Sequence, residues 1–171
     1  IDQFIYTSQN NYNKLVSRYN KLIQERSKIL SNNNNDEFWL KQLEKNISLD
    51  GLQIYSLRES QIKILINNLN IYLKQFELPF NIETKIIDKF YISNLKNEDY
   101  EVALKNNRKI DAIVGGCAIG PHKSDYVFFV NDNSLVSQLS TGQQKTIILL
   151  MYLSQCKYLS EVKFKKPILL L

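Results

Sequence analysis

Leu139-Ser140-Thr141-Gly142-Gln143-Gln144-Lys145 runs directly into Thr146-Ile147-Ile148-Leu149-Leu150-Met151-Tyr152-Leu153. A polar, glycine-containing turn that feeds an apolar helix presents unpaired N–H groups and the positive end of the helix dipole. Such a start suits a phosphate group. The helix is expected to reach about Leu159 and, being apolar nearly all round, to be buried on most sides. Taken alone, the same pattern also fits Ser140 as a simple N-cap before a core helix.

Around this turn the chain alternates short strands and helices. Upstream, Tyr126 to Val130 alternates as a strand, Asn131-Asp132-Asn133-Ser134 reads as a hairpin turn, and Leu135 to Leu139 as the return. Gly115-Gly116 and Gly120-Pro121 flank a short strand at Cys117 to Ile119. Asn97 to about Ala112 carries Tyr100, Leu104 and Ile110 or Ala103 on one helical side, and Ile82 to Phe90 alternates as a strand after Pro79. Downstream, Lys163, Lys165 and Lys166 lead to Pro167-Ile168-Leu169-Leu170-Leu171, an apolar run expected to be a buried strand.

The first half is helical by period. Residues 1 to about 31 place Tyr12, Leu15, Val16, Tyr19, Leu22, Ile23, Arg26, Ile29 and Leu30 on one face, and Ser31 to Asn35 forms a polar loop tip. Asp36 is set to cap a second helix with Trp39, Leu43, Ile47, Ile54, Leu57, Leu65, Leu69, Leu73 and Phe76 on its face. Gly51 interrupts that face and costs about 1 kcal/mol relative to alanine. Together these segments predict a long antiparallel helical hairpin with an exposed tip. The expected organisation is a helical hairpin lobe over residues 1–80 and an α/β part over 81–171, an α+β, mainly helical fold.

Composition narrows the function classes. The 171 residues include 44% hydrophobic and 23% charged residues, enough apolar material for a core. The net charge of +5 permits nucleic-acid binding through phosphates without demonstrating it. Lys14, Arg18, Lys21, Lys28, Lys41 and Lys45 are scattered along the hairpin, as on a solvated helix face or a phosphate-contacting one. Cys117 and Cys156 lack metal spacing and read as two buried thiols of a reduced protein, and His122 builds no familiar metal pattern with them. No signal peptide stands out, and Ile147 to Leu153 is too short to span a bilayer, so a soluble cytoplasmic protein is expected. The opening inside a helical pattern and the apolar last residues are read as those of a piece of a longer chain.

The Leu139–Gln143 stretch resembles the signature motif of ABC-type ATPases, including SMC-like heads. Three blocks in order, Gly120-Pro121-His122-Lys123-Ser124-Asp125, then Ser140-Thr141-Gly142-Gln143-Gln144-Lys145, then Pro167-Ile168-Leu169-Leu170-Leu171, are similar to the RecF family of DNA replication and repair proteins. That family usually has Arg-Asp-Asp where this chain has Lys123-Ser124-Asp125, so Ser124 replaces an acid. Thr141 stands where Gln or Gly is usual, at a position where the backbone matters more than the side chain.

The resemblance implies an ATPase head with its helical lobe. It implies cytoplasmic, ATP-dependent recombinational repair, with DNA replication and the SOS response as its setting. Duplex DNA and single-strand/duplex junctions, RecR-type and RecO-type proteins and a second copy of the chain are the implied partners, with no membrane. ATP and Mg²⁺ belong to the full-length dimer, where ATP is sandwiched between a phosphate loop of one head and the signature turn of the other. By that resemblance Ser140, Thr141, Gly142, Gln143, Gln144 and Lys145 contact the nucleotide, and Ser140 donates to a γ-phosphate oxygen. The residues here include no glycine-rich phosphate loop with its Lys and Ser/Thr, and the family's catalytic acids would follow Leu171. The parent is expected to be a weak DNA-dependent ATPase, and this segment alone is expected to hydrolyse nothing and to bind no cofactor. His122 is expected to serve a turn or packing role. The alternatives are a non-catalytic helical interaction module that binds through the hairpin tip, and the head of another SMC-like ATPase.

Overall fold

The computed structural model describes residues 1–32, 36–131 and 134–169. It divides into two compact units, each assembled from segments distant in sequence: Ile1–Asn10, Arg58–Ile87 and Asp125–Leu171 form the first, and Asn11–Leu57 and Asp88–Ser124 the second. These units differ from the expected division at residue 80. The helix Glu37–Gln75 is continuous over 39 residues and contributes to both, so no boundary falls at its end.

The second unit holds α2 (Tyr12–Ser31), the first part of α3 (Glu37–Gln75) and α4 (Asn97–Val114). Asp36 caps α3 as expected: its carboxylate accepts the N–H of Trp39 at 3.0 Å. The hairpin is antiparallel, because Arg18 pairs with Asp50, Glu25 accepts from the Trp39 indole and Arg26 bonds Glu44. The core of the tip, Asn33–Asn35, lies outside the described residues. Gly51 leaves α3 unbroken, and a Cβ there would lie 2.8 Å from the Tyr100 ring. This glycine is a seat for a tyrosine rather than a kink.

α4 buries Tyr100, Leu104 and Asp111, whereas Ile110, expected on the inner side, is 53% exposed. The polar Asp111 occupies the inward position because Arg26 draws it there. Two of the expected strands are altered, one within this unit and one where the chain enters it at Asp88. Cys117–Ile119 forms no strand, since the Ala118 N–H is taken by the Asp111 carboxylate at 2.8 Å. The strand from Ile82 stops at Ile87, because Asp88 turns the chain by accepting the N–H groups of Phe90 and Tyr91.

The first unit contains α1 (Asp2–Ser8), the rest of α3, β1 (Ile82–Ile87), β2 (Asp125–Val130), β3 (Ser134–Leu135) and α5 (Thr141–Glu161). The single helix expected over residues 1–31 is broken at Gln9, whose backbone is extended, and restarts at Tyr12. The Ser8 hydroxyl bonds back to the Phe4 and Ile5 carbonyls just before the break, a polar competition that helix interiors disfavour.

The sheet is antiparallel in the order β1-β2-β3, with Ile82 opposite Val130. The Asn70 carboxamide donates to the Ile82 carbonyl and accepts its N–H, both at 2.9 Å, mimicking a neighbouring strand. Leu69, Leu73, Ile82, Val130, Ile147 and Leu150 form the core, joined by Leu139 from the turn. Of the expected hairpin turn, Asp132 and Asn133 lie outside the described residues. The return strand spans only Ser134–Leu135 and passes into a 3₁₀ turn at Val136–Gln138.

α5 is not buried on most sides. Ile147, Leu150, Ser154, Gln155 and Leu159 are buried, while Ile148 and Tyr152 are 52% and 42% exposed. Its inner face is partly polar: Gln61 donates to Gln155, which donates to the Phe4 carbonyl and the Thr7 hydroxyl, and the Gln61 oxygen is an alternative acceptor for the Ser8 hydroxyl at 3.1 Å. The last expected strand does not form among the described residues. Residues 164–169 have no ladder partner, Ile168 is 87% exposed, and Leu170 and Leu171 lie outside the described residues.

Candidate functional site

α5 begins where the sequence places it, at Thr141 with Ser140 as N-cap. Ser140 has extended backbone, and its hydroxyl oxygen accepts the Gln143 N–H at 3.4 Å. The Gln143 carboxamide oxygen in turn accepts the Ser140 N–H and the Ser140 hydroxyl, each at 3.0 Å. This reciprocal capping box ties Ser140 to the first turn of the helix. Gln144 N–H closes the first helical bond to the Ser140 carbonyl at 3.0 Å. The N–H groups of Thr141 and Gly142 are left with no acceptor among the described residues, as a helix start requires.

Gly142 has ordinary helical backbone, and a Cβ built on it meets nothing within 4 Å. Neither strain nor crowding inside the chain calls for glycine here, in contrast to Gly51 and Gly120. Ser140, Thr141, Gly142 and Lys145 are exposed, and Gln143 and Gln144 are half-buried. The available donors are N–H groups, a hydroxyl, the Gln143 amide nitrogen and the Lys145 ammonium. That set fits an anionic phosphate and offers a metal cation no charged oxygen.

Three of the six candidate side chains are already engaged, Ser140 and Gln143 with one another and Gln144 elsewhere. The Ser140 hydroxyl proton points at Gln143, so donation to a phosphate requires it to rotate. The Gln144 amide nitrogen donates to the Ser137 carbonyl at 3.1 Å and the Leu139 carbonyl at 2.8 Å, away from the helix start.

The Gly120–Asp125 block builds a different centre, inside the second unit. Pro121–Lys123 is a 3₁₀ turn that follows Gly120 at φ 124°. A Cβ on Gly120 would lie 2.3 Å from the hydroxyls of both Tyr19 and Tyr100. His122 Nε2 lies 2.9 Å from the Cys117 carbonyl, which only accepts, so Nε2 carries the proton. In the neutral imidazole Nδ1 then accepts from the Tyr19 hydroxyl at 2.9 Å, which leaves Tyr100 to donate to Tyr19 at 3.3 Å. Burial raises both phenols well above their ordinary range and pushes the Cys117 thiol up, so none of them is an ionised nucleophile near neutrality. His122 pins a turn, and Cys156 is only partly buried.

Sequence reasoning missed the ionic centre of the second unit. Arg26, 0% exposed, bonds Glu44 at 3.0 Å, Asp111 at 2.7 Å and the Leu104 carbonyl at 2.7 Å. Arg108 makes a bidentate pair with Glu44 and reaches Glu37. The sequence signal was Arg26 itself, a charge on an otherwise apolar helix face.

Of the scattered cations, Lys14, Lys21, Lys28, Lys41 and Lys45 are exposed. Asn13, Lys14, Ser17, Arg18 and Lys21 line a surface cleft of about 410 Å³. Arg18 is held by both oxygens of Asp50, which raises its pKa. No helix among the described residues is long and apolar enough to cross a membrane, and no group of three or more His, Cys, Asp or Glu among them could hold a metal ion.

No protein-family model matches the chain. Curated relatives do. The chain is 28% identical over 179 residues to the DNA replication and repair protein RecF of Rickettsia canadensis (strain McKiel), matching 100% of this chain and 48% of that protein. With the protein of the same name from Rickettsia felis it shares 30% identity over 178 residues and the same coverage. The chain thus spans about half the length of the curated relatives it matches. Among solved structures, it superposes with TM-score 0.86 at 22% identity on the recombination mediator protein RecF-ATP of the RecFOR pathway, over 99% of this chain and 48% of that one. The RecF-ATPrS structure gives TM-score 0.81 at 23% identity.

Proposed function

We propose that this chain, which is similar to about half of the DNA replication and repair protein RecF, supplies the signature turn of an ATP-dependent repair protein. In the full-length protein, the N–H groups of Thr141 and Gly142 and the hydroxyl of Ser140 meet the γ-phosphate of ATP held by a second copy. Gln143 and Lys145 flank that contact. ATP supplies the negative charge that draws the two copies together, and Mg²⁺ is held by groups other than these donors. Duplex DNA, junctions and RecR-type and RecO-type proteins are the partners of the assembled protein in recombinase loading at gaps, and the cytoplasm is its compartment.

One observation carries this reading: Gly142 is a glycine that nothing among the described residues requires, and its N–H and that of Thr141 have no acceptor among them. A bare backbone there serves an incoming ligand. The test is ATP-dependent self-association of full-length Ser140→Arg, followed by sedimentation. Loss of the ATP-dependent dimer is expected, because the guanidinium fills the space in front of the turn; a normal dimer refutes the reading.

A second reading, an interaction module acting through the hairpin tip, is favoured by Phe38 and Trp39, which are 73% and 46% exposed at the start of α3. It separates cleanly from the first, since Ser140→Arg would leave partner binding at the tip intact.

A further inference from the structure

Adjacent glutamines follow Gly142, and the structure gives them separate work. Gln143 closes the capping box on Ser140. Gln144 sends its side chain backwards along the sequence, and its one amide nitrogen bridges the carbonyls of Ser137 and Leu139, seven and five residues earlier. The main chain of Gln144 is fixed at the same time by its N–H bond to the Ser140 carbonyl. The segment Ser137–Ser140 is thus closed into a ring by one residue of the first helical turn. Its other ties are few: Gln138 accepts the Leu135 N–H, the Leu139 N–H reaches the Val136 carbonyl at 3.2 Å, and the Leu139 side chain packs on the core.

We propose that Gln144 is a positioning residue: by donating to the Ser137 and Leu139 carbonyls it sets where Ser140 stands in front of the helix start. The inference rests on the nucleotide reading above for its functional consequence and on the hydrogen bonds alone for its structural one. Donation is the operative property, because both partners are carbonyls and accept only. A glutamate at this position keeps the shape and loses both bonds, setting two carbonyls against a carboxylate. A lysine restores a donor able to serve both.

The experiment uses the full-length protein with ATPγS as probe and compares Gln144→Glu, Gln144→Lys and Ser140→Arg. For Gln144→Glu, amide hydrogen exchange at Leu139 and Ser140, whose N–H groups are bonded, is expected to quicken at least about tenfold, the loss of one to two net hydrogen bonds. The ATPγS concentration for half-maximal self-association is expected to rise by a similar factor, while nucleotide affinity of the unassociated protein stays at the wild-type value and the melting temperature falls by no more than a few degrees. Gln144→Lys is expected to restore both readouts. Wild-type exchange at the turn in Gln144→Glu overturns the proposal, as does a Gln144→Lys protein that behaves like Gln144→Glu. Should Ser140→Arg leave association intact, the nucleotide reading fails on its own. The exchange comparison then still decides the clamp, with faster exchange upholding it and unchanged exchange refuting it.

Discussion

Two glycines in this chain, Gly120 and Gly142, show how differently one residue type is used. Gly120 combines positive φ with a seat against two tyrosine hydroxyls. Gly120→Ala is expected to cost roughly 2–4 kcal/mol, from backbone strain and from displacing Tyr19 and Tyr100. Urea denaturation would measure it, and a loss under about 0.5 kcal/mol would contradict the packing described. Gly142→Ala should behave oppositely: stability unchanged or raised by up to ~1 kcal/mol, since alanine is the better helix former and meets no neighbour. Its ATP-dependent self-association in the full-length protein should nevertheless weaken by about tenfold or more, if the bare backbone serves a phosphate. Sequence alone marks both positions as turn glycines. It cannot separate them, because the difference lies in what stands opposite each Cβ.

At the scale of elements, the buried ionic centre decides how α2, α3 and α4 register. Arg26 of α2 meets Glu44 of α3 and Asp111 of α4, and Asp111 also holds the Ala118 N–H. Removing only the arginine leaves Asp111 buried with its charge uncompensated. Arg26→Met should therefore cost about 3–5 kcal/mol in chemical denaturation, a large share of the stability of an ordinary domain. Partial recovery is expected in Arg26→Met/Asp111→Asn, which removes that charge. The helices and β1 and β2 were legible in the sequence because period and capping residues are local signals: Asp36 and Ser140 cap where they were expected to. The break at Gln9, the early stop of β1 and the inward turn of Asp111 were not. Each depends on a side chain satisfied by a residue elsewhere in the sequence or by a local turn that overrides alternation. The helix start of the candidate site was legible in the same local way, whereas the diversion of Gln144 towards Ser137 and Leu139 was not. A glutamine side chain reaches forward or backward with equal ease, and only the position of the carbonyls decides.

At the scale of the whole molecule, the charge balance of +5 bears on the proposed DNA partner. If the exposed Lys14, Lys21, Lys28, Lys41 and Lys45 contact phosphates, duplex affinity of the full-length protein should fall steeply with salt, with a log–log slope of about −4.5. Lys14→Gln/Lys21→Gln should flatten that slope by about 2 in a filter-binding series, and an unchanged slope would remove the hairpin from the interface. The interleaving of the two units bears on how such a chain is made. The second unit is complete once Ser124 has left the ribosome, but α1 of the first waits for Gln155, 151 residues behind Phe4. At ordinary translation speeds that wait lasts on the order of ten to thirty seconds. Throughout it, Ile5 and the polar groups of Phe4 and Thr7 have no α5 to meet. Vectorial synthesis thus sets an order of maturation, in which the hairpin unit closes before the element carrying the signature turn is in place.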